Sequence, residues 1–170
     1  SAIKICAYSA NELVQTIYNS KHVLKRNKKI KAHYDGELKL LTFLPFYHVF
    51  GFIAVYVWFG FFSRTFVALN DFGAQTILNT VKRHKVTHIF AVPLFWDTVY
   101  KQAMATIARR GEKTQKKFQK GLSIASKLGN SALGRAFSKK AFAEVRRNMF
   151  GDSVQFAISG GSAIGSRVLK

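Results

Sequence analysis

The sequence predicts an α/β domain, with a mainly parallel sheet, helices on both faces and a helical insert at about residues 101–149. Three observations lead there. Short apolar runs alternate with longer stretches of helical period. The joints between them carry capping and turn residues. Strands separated by helices pair in parallel, because a parallel neighbour needs a crossover and the crossover is usually helical. The chain has 170 residues, 48% of them hydrophobic and 21% charged, with 12 glycines and only 2 prolines. That length suits one domain with a real core, and the composition is far from that of a disordered or collagen-like chain.

Each element has its own reason. Leu13, Ile17 and Leu24, with Val14 and Tyr18 beside them, recur at helical spacing behind Ser9 and Asn11, both good N-cap types, and predict an amphipathic helix. Leu38 to Phe46 reads as a strand, and His48 to Phe62 as a buried helix. Arg64 to Leu69 is a short β-branched and aromatic run, after which Asp71 to Lys85 carries Ile77, Leu78 and Val81 on one helical face. Thr87 to Val92 is a buried strand ended by Pro93, which suits the first turn of the next helix because its absent N–H would be unpaired there. Residues 112–129 and 131–149 read as two helices around Gly129-Asn130-Ser131. In the first, Phe118, Leu122 and Ala125 lie largely opposite Lys113, Lys116, Lys117 and Lys120. In the second, Leu133, Phe137, Ala141, Val145 and Met149 repeat every four residues. Both apolar stripes are expected to pack inward and the lysines to face solvent. Val154 to Ile158 forms a last strand running into Ser159-Gly160-Gly161-Ser162.

The charge narrows the partners. There are 27 Lys+Arg against 8 Asp+Glu, a formal charge of +19, with 7 of the basic residues in 1–35 and 13 in 101–147, where Glu112 and Glu144 are the only acids. Such an excess favours phosphates, anionic membranes or an acidic partner. A nucleic-acid-binding module would use the charge on phosphates. The aromatics, however, are concentrated in the apolar centre and do not interleave with the lysines, so no nucleic acid is expected. A membrane-attached, non-catalytic protein is the other alternative, and solubility without detergent discriminates it. The 23 residues from Leu40 to Phe62 carry no formal charge apart from a protonatable His48, long enough in principle for a span of ~20 residues. Pro45, with Thr42, Tyr47 and His48 around it, divides the run into pieces too short to cross. A single cysteine, Cys6, excludes a disulfide-framed domain and suggests a small buried residue in a reducing compartment.

In an open α/β sheet, ligands bind beyond the carboxyl ends of the strands. Two polar clusters are predicted at such ends. One is Leu44-Pro45-Phe46-Tyr47-His48-Val49-Phe50-Gly51, where His48 is either a ligand-facing group or a core histidine satisfied by backbone. The other is Ser159-Gly160-Gly161-Ser162, whose glycines let a flat ligand approach or simply make a tight turn. His84 and His88 have i,i+4 spacing without a carboxylate or thiolate companion, so no metal site is expected, and His22 and His33 lie among lysines.

The order Leu44-Pro45-Phe-Tyr-His48-Val-Phe-Gly51, Thr87-His-Ile-Phe-Ala-Val-Pro93, Ile158-Ser-Gly160-Gly161-Ser162-Ala-Ile164 resembles the acyl-adenylate-forming superfamily of acyl-CoA synthetases and ligases. The three segments match its Leu-Pro-x-x-His-x-x-Gly, Val-Pro and Ser-Gly-Gly-Ala-Pro-Leu motifs. Ser162 and Ile164 replace the commoner Ala and Leu, and Ala163 stands at the usual proline. The long basic helical insert is similar to that of the AMP-forming long-chain fatty acyl-CoA synthetase branch. This resemblance implies that residues 1–170 are an inner slice of the large N-terminal domain, with the phosphate loop and the C-terminal domain outside it. It implies activation of a fatty acid by ATP and transfer to CoA, with Mg2+ at the phosphates, in a cytoplasmic enzyme. The basic helices, with their lysines outward, are either simply a solvated face or a contact for an anionic membrane surface. His48 would be the catalytic and carboxylate-contacting residue, Phe52 would line or gate the acyl tunnel, and Gly160, Gly161 and Ser162 would border the adenylate, with Gly161 also touching substrate. The slice alone is expected to be inactive.

Overall fold

Adjacent residues of one strand, Leu40 and Leu41, are both fully buried but belong to two different apolar cores. Side chains alternate across a strand, so a strand buried on both sides must lie inside a covered sheet. The computed structural model describes Ile5, residues 7–27, 36–62, 64–69, 71–165 and Val168. Within these, β1 (Lys39–Thr42), β2 (Thr65–Ala68), β3 (His88–Ala91) and β4 (Phe156–Ser159) form one sheet in the order β2-β1-β3-β4. Every pairing is parallel, with Leu41 opposite both Val67 and Ile89, and Ala91 opposite Ser159.

The helices are α1 (Ala10–Arg26), α2, α3 (Ala74–Arg83), α4 (Pro93–Arg109), α5 (Glu112–Leu128), α6 (Ala132–Ala141) and α7 (Ala143–Phe150). Of these, α2 is π-helical over Phe50–Val57 and continues as α-helix over Trp58–Phe61. One face of the sheet packs Leu41, Val67, Ile89 and Ala91 against Ile77 and Val81 of α3, with Phe95 and Trp96 of α4 and Phe150 of α7 at its margin. On the other face, Leu40 and Phe90 pack against Val55 and Phe59 of α2. Helices therefore cover both faces, as the alternation of period predicts. The apolar run from Leu40 divides at Pro45 into strand, turn and helix, and among the described residues no helix is long and apolar enough to cross a membrane.

Local chemistry fixes the element ends. Ser9 and Glu12 close a reciprocal cap on α1: the Ser9 N–H donates to Glu12 Oε2 at 2.7 Å and the Glu12 N–H donates to Ser9 Oγ at 3.2 Å. Pro93 opens α4 at its first turn, and Gly129, at φ +56, ends α5 before Ser131 Oγ accepts the Gly134 N–H at 3.0 Å to cap α6. Trp58 Nε1 donates to Ser20 Oγ at 2.7 Å and ties α1 to α2.

Two expectations fail. The helix expected to be buried over His48 to Phe62 is covered on one side only, at Gly51, Val55 and Phe59, while Tyr56 and Phe61 are 49% and 47% exposed on the other. The stretch 131–149 is two helices, broken at Phe142, whose φ of −106 and ψ of 10 leave the helical region. Its ring sits edge-on to Phe118 at 5.3 Å and over Gly121, so side-chain packing against α5 turns the backbone. The break shifts the repeat out of phase. Phe137, Val145 and Met149 remain half-buried, whereas Leu133 is 74% exposed and Ala141 is exposed. Cys6 and His33, and the side chain of Leu24, lie outside the described residues.

Candidate functional site at the carboxyl edge of the sheet

The strand order contains a change of direction. From β1 the chain passes through α2 on one face to β2, then through α3 on the other face to β3, which pairs with the opposite side of β1. The segments leaving β1 and β3 thus diverge to opposite faces, and a crevice between such segments is where open α/β sheets take their ligands. The first carries His48; the second is Val92-Pro93; beside it, β4 runs out into Ser159-Gly160-Gly161-Ser162.

The loop after β1 is closely determined. The His48 N–H donates to the Pro45 carbonyl at 3.2 Å, making a tight turn, and the Phe52 N–H donates to the His48 carbonyl at 2.9 Å. A Cβ at Gly51 would stand 2.3 Å from that same Pro45 oxygen, so only glycine fits where α2 folds back over the turn. His48 itself is exposed. Its Nδ1 accepts the Phe50 N–H at 3.2 Å, which makes Nδ1 the unprotonated nitrogen of the neutral ring and leaves the proton on Nε2. The imidazole therefore has an oriented donor at its outer end. Phe52 is half-buried on the first turn of α2.

The loop after β4 meets this one through Phe50. A Cβ at Gly160 would lie 2.7 Å from the Phe50 ring, and the same ring packs against Phe90 of β3 at 6.2 Å. The Gly160 N–H donates to the Ala91 carbonyl at 3.1 Å, extending the β3–β4 pairing. Gly161 follows at φ +87, a conformation that favours glycine, with Val92 Cγ1 3.8 Å from where its Cβ would be. Gly161 and Ser162 are exposed. His48, Phe52, Gly160, Gly161 and Ser162 thus stand at one edge of the sheet, and Phe50 and Gly51 join them as residues whose positions depend on close packing.

The remaining histidines have other settings. His88 is fully buried in β3 between the rings of Phe59 and Phe156. The Thr87 hydroxyl donates to the Lys39 carbonyl and accepts from His88 Nδ1 at 2.8 Å, which fixes the ring. His84 ends α3, and His22 lies exposed on α1. Among the described residues no three His, Cys, Asp or Glu side chains come together as a metal site.

A family model described as AMP-binding enzyme matches residues 3–170. The chain is also 37% identical over 60 residues to 4-chlorobenzoate–CoA ligase from Pseudomonas sp. (strain CBS-3), a stretch amounting to 35% of this chain and 11% of that protein. No solved structure matches.

Proposed function

The chain belongs to the AMP-binding enzyme family, and from that we propose that it is part of a longer adenylate-forming acyl-CoA ligase and forms the acyl-adenylate wall of its active site. The supporting observation is the convergence of three segments, distant in sequence, at the carboxyl ends of β1, β3 and β4, with Phe50 seated on Gly160.

In the proposed first half-reaction a substrate carboxylate oxygen attacks the α-phosphorus of ATP. A carboxylate-oxygen-to-phosphorus bond forms, and the bond from the α-phosphorus to the bridging oxygen breaks as pyrophosphate leaves. In the second, the CoA sulfur attacks the acyl carbon, the thiol proton leaves, and AMP departs with the bridging oxygen. His48 Nε2–H donates to a carboxylate or acyl oxygen, and the Phe50 N–H holds the ring in the tautomer that can do so. Phe52, one turn on, lines the acyl entrance. Gly160, Gly161 and Ser162 border the adenylate, their small or absent side chains leaving the backbone accessible to a flat base. Magnesium, which the resemblance implies, has no ligand cluster among the described residues.

The acid is proposed to be a long-chain fatty acid, on the likeness of the insert that forms α5, α6 and α7 to that branch. Pyrophosphate release by the longer enzyme, with ATP and either palmitate or 4-chlorobenzoate, tests both parts. His48→Ala is expected to lower kcat/KM about 10–100-fold, the worth of one hydrogen bond to a charged group. Unchanged kinetics would make His48 structural. A preference for the aryl acid would overturn the fatty-acid assignment alone. The 170-residue chain by itself is expected to give background release.

A further inference from the structure

The helices after α4 carry a second surface that the carboxyl-edge site does not use. A cleft of about 830 Å³ runs between α5 and the antiparallel α6, closed at one end by α4 and α7. Neither this cleft nor the smaller one beside it is lined by residues 43–52, 92–93 or 158–162. Its floor is apolar, from Ile107, Phe118, Ile124 and Phe137. Its rim is cationic, from Arg110, Lys113, Lys117, Lys120 and Lys140. Arg110 pairs with Glu144, but among the described residues no carboxylate pairs with the four lysines. Four unpaired ammonium groups around one apolar groove form a concentrated positive field, because Glu144, the one acid lining the cleft, is taken by Arg110.

The apolar residues continue beyond the cleft. Leu128 lies one helical turn past Ile124 on α5, and Leu133 one turn before Phe137 on α6, so both extend the cleft's own faces toward the tip of the hairpin. There they are uncovered: Ile124 is 36% exposed, Leu128 37% and Leu133 74%. Lys127 and Arg135 flank them. At ~1.5 Å per residue, Leu128 stands about 12 Å beyond Lys120 along α5. An apolar face sinks roughly 5–10 Å at the headgroup–acyl boundary, short of that offset by an amount a lysine stem can span, so Lys120, and Lys140 at a like distance from Leu133 on α6, reach the phosphates, while Lys117 and Lys113, about 16 and 22 Å from Leu128, stand farther back.

We propose that the α5–α6 hairpin is a docking surface for an anionic lipid bilayer. Leu128, Leu133 and Ile124 enter the headgroup–acyl boundary, while Lys120 and Lys140 sit on lipid phosphates and Lys113 and Lys117 add to the attracting field. The division into an apolar tip and a cationic groove favours a membrane over a nucleic acid, since a phosphate backbone offers nothing for an exposed leucine. The surface stands apart from the carboxyl edge and does not depend on its chemistry.

Co-sedimentation of the full chain with vesicles of phosphatidylcholine alone, and with 30% phosphatidylglycerol, tests the proposal. Partitioning into the anionic vesicles is expected to be at least tenfold stronger and to weaken in 0.5 M salt. Replacing the four lysines by Gln is expected to reduce it at least about twentyfold, since each of the two at the phosphates contributes about fivefold. Leu133→Asp is expected to reduce it severalfold on anionic vesicles; the position is exposed, and an unchanged circular dichroism spectrum and Tm verify the fold. Equal partitioning into both vesicles would overturn the proposal. So would undiminished binding by Leu133→Asp, which would leave only a diffuse charge effect, or displacement of the chain from vesicles by equimolar oligonucleotide.

Discussion

Gly51 and Gly160 are both places where a methyl group has no room, yet they differ in what stands in the way. At Gly51 the obstacle is the Pro45 carbonyl, held by the His48 N–H, and backbone in a hydrogen-bonded turn cannot step aside. At Gly160 it is the far end of the Phe50 ring, which can swing. Gly51→Ala is therefore expected to destabilise the chain by about 1–3 kcal/mol, as overpacking commonly does, and Gly160→Ala by clearly less while moving the Phe50 ring resonances. Urea melts and aromatic NMR spectra check this, and equal losses would show that Phe50 is as immobile as backbone. The sequence motifs pointed to His48, Phe52, Gly160, Gly161 and Ser162 as candidates, and gave no packing reason for the glycines. Phe50 was not legible. It is one aromatic among many in an apolar run, and only the parallel pairing of β3 with β4 brings Gly160 beneath it.

Caps and breaks decide the elements. The Glu12 carboxyl lies below its ordinary 4.5, chiefly because the Ser9 N–H and then the Ser9 hydroxyl donate to it. Asp71 lies below its ordinary 3.8 through the Thr76 hydroxyl first and the Gly73 N–H second. Both folded values are depressed, so the stabilisation is fully present above the unfolded values and is lost as pH falls through the folded ones. The Tm difference between the native chain and Glu12→Gln is expected to be constant near neutrality and to shrink below pH 4.5, the ordinary value of Glu12. A difference that persists to pH 2 would mean that the cap does not depend on the carboxylate. Ser9, Pro93 and the Gly129–Ser131 joint were legible because capping is local chemistry. The break at Phe142 was not, because no proline or glycine marks it and its cause is a ring contact with α5. The same holds for the π-helical start of α2, where a wider turn leaves no trace in an apolar sequence.

At the scale of the molecule, alternating period was enough to read a parallel α/β sheet, while strand order was beyond it. The order β2-β1-β3-β4 follows from which helix covers which face, and that depends on contacts among residues far apart in the chain. Yet this order sets the loops after β1 and β4 on either side of β3. If β3 had been added outside β2, the segments after β1 and β3 would not be neighbours, and the His48 loop could not share an edge with Gly160. The basic helices form a second region, with its own cleft and charge, on the segment between β3 and β4. The first region, and not the second, is proposed to face the acyl-adenylate. An NMR titration of the isotope-labelled chain with a nonhydrolysable short-chain acyl sulfamoyl adenosine tests this most directly. With only an adenine and a short acyl chain to hold, binding is expected to be weak, on the order of millimolar, about 4 kcal/mol in free energy. Amide shifts are predicted at Phe50, Gly51, Val92 and Gly160 to Ser162, with the α5–α6 hairpin unmoved. Shifts confined to the hairpin, or none along the carboxyl edge at millimolar ligand, would contradict the account.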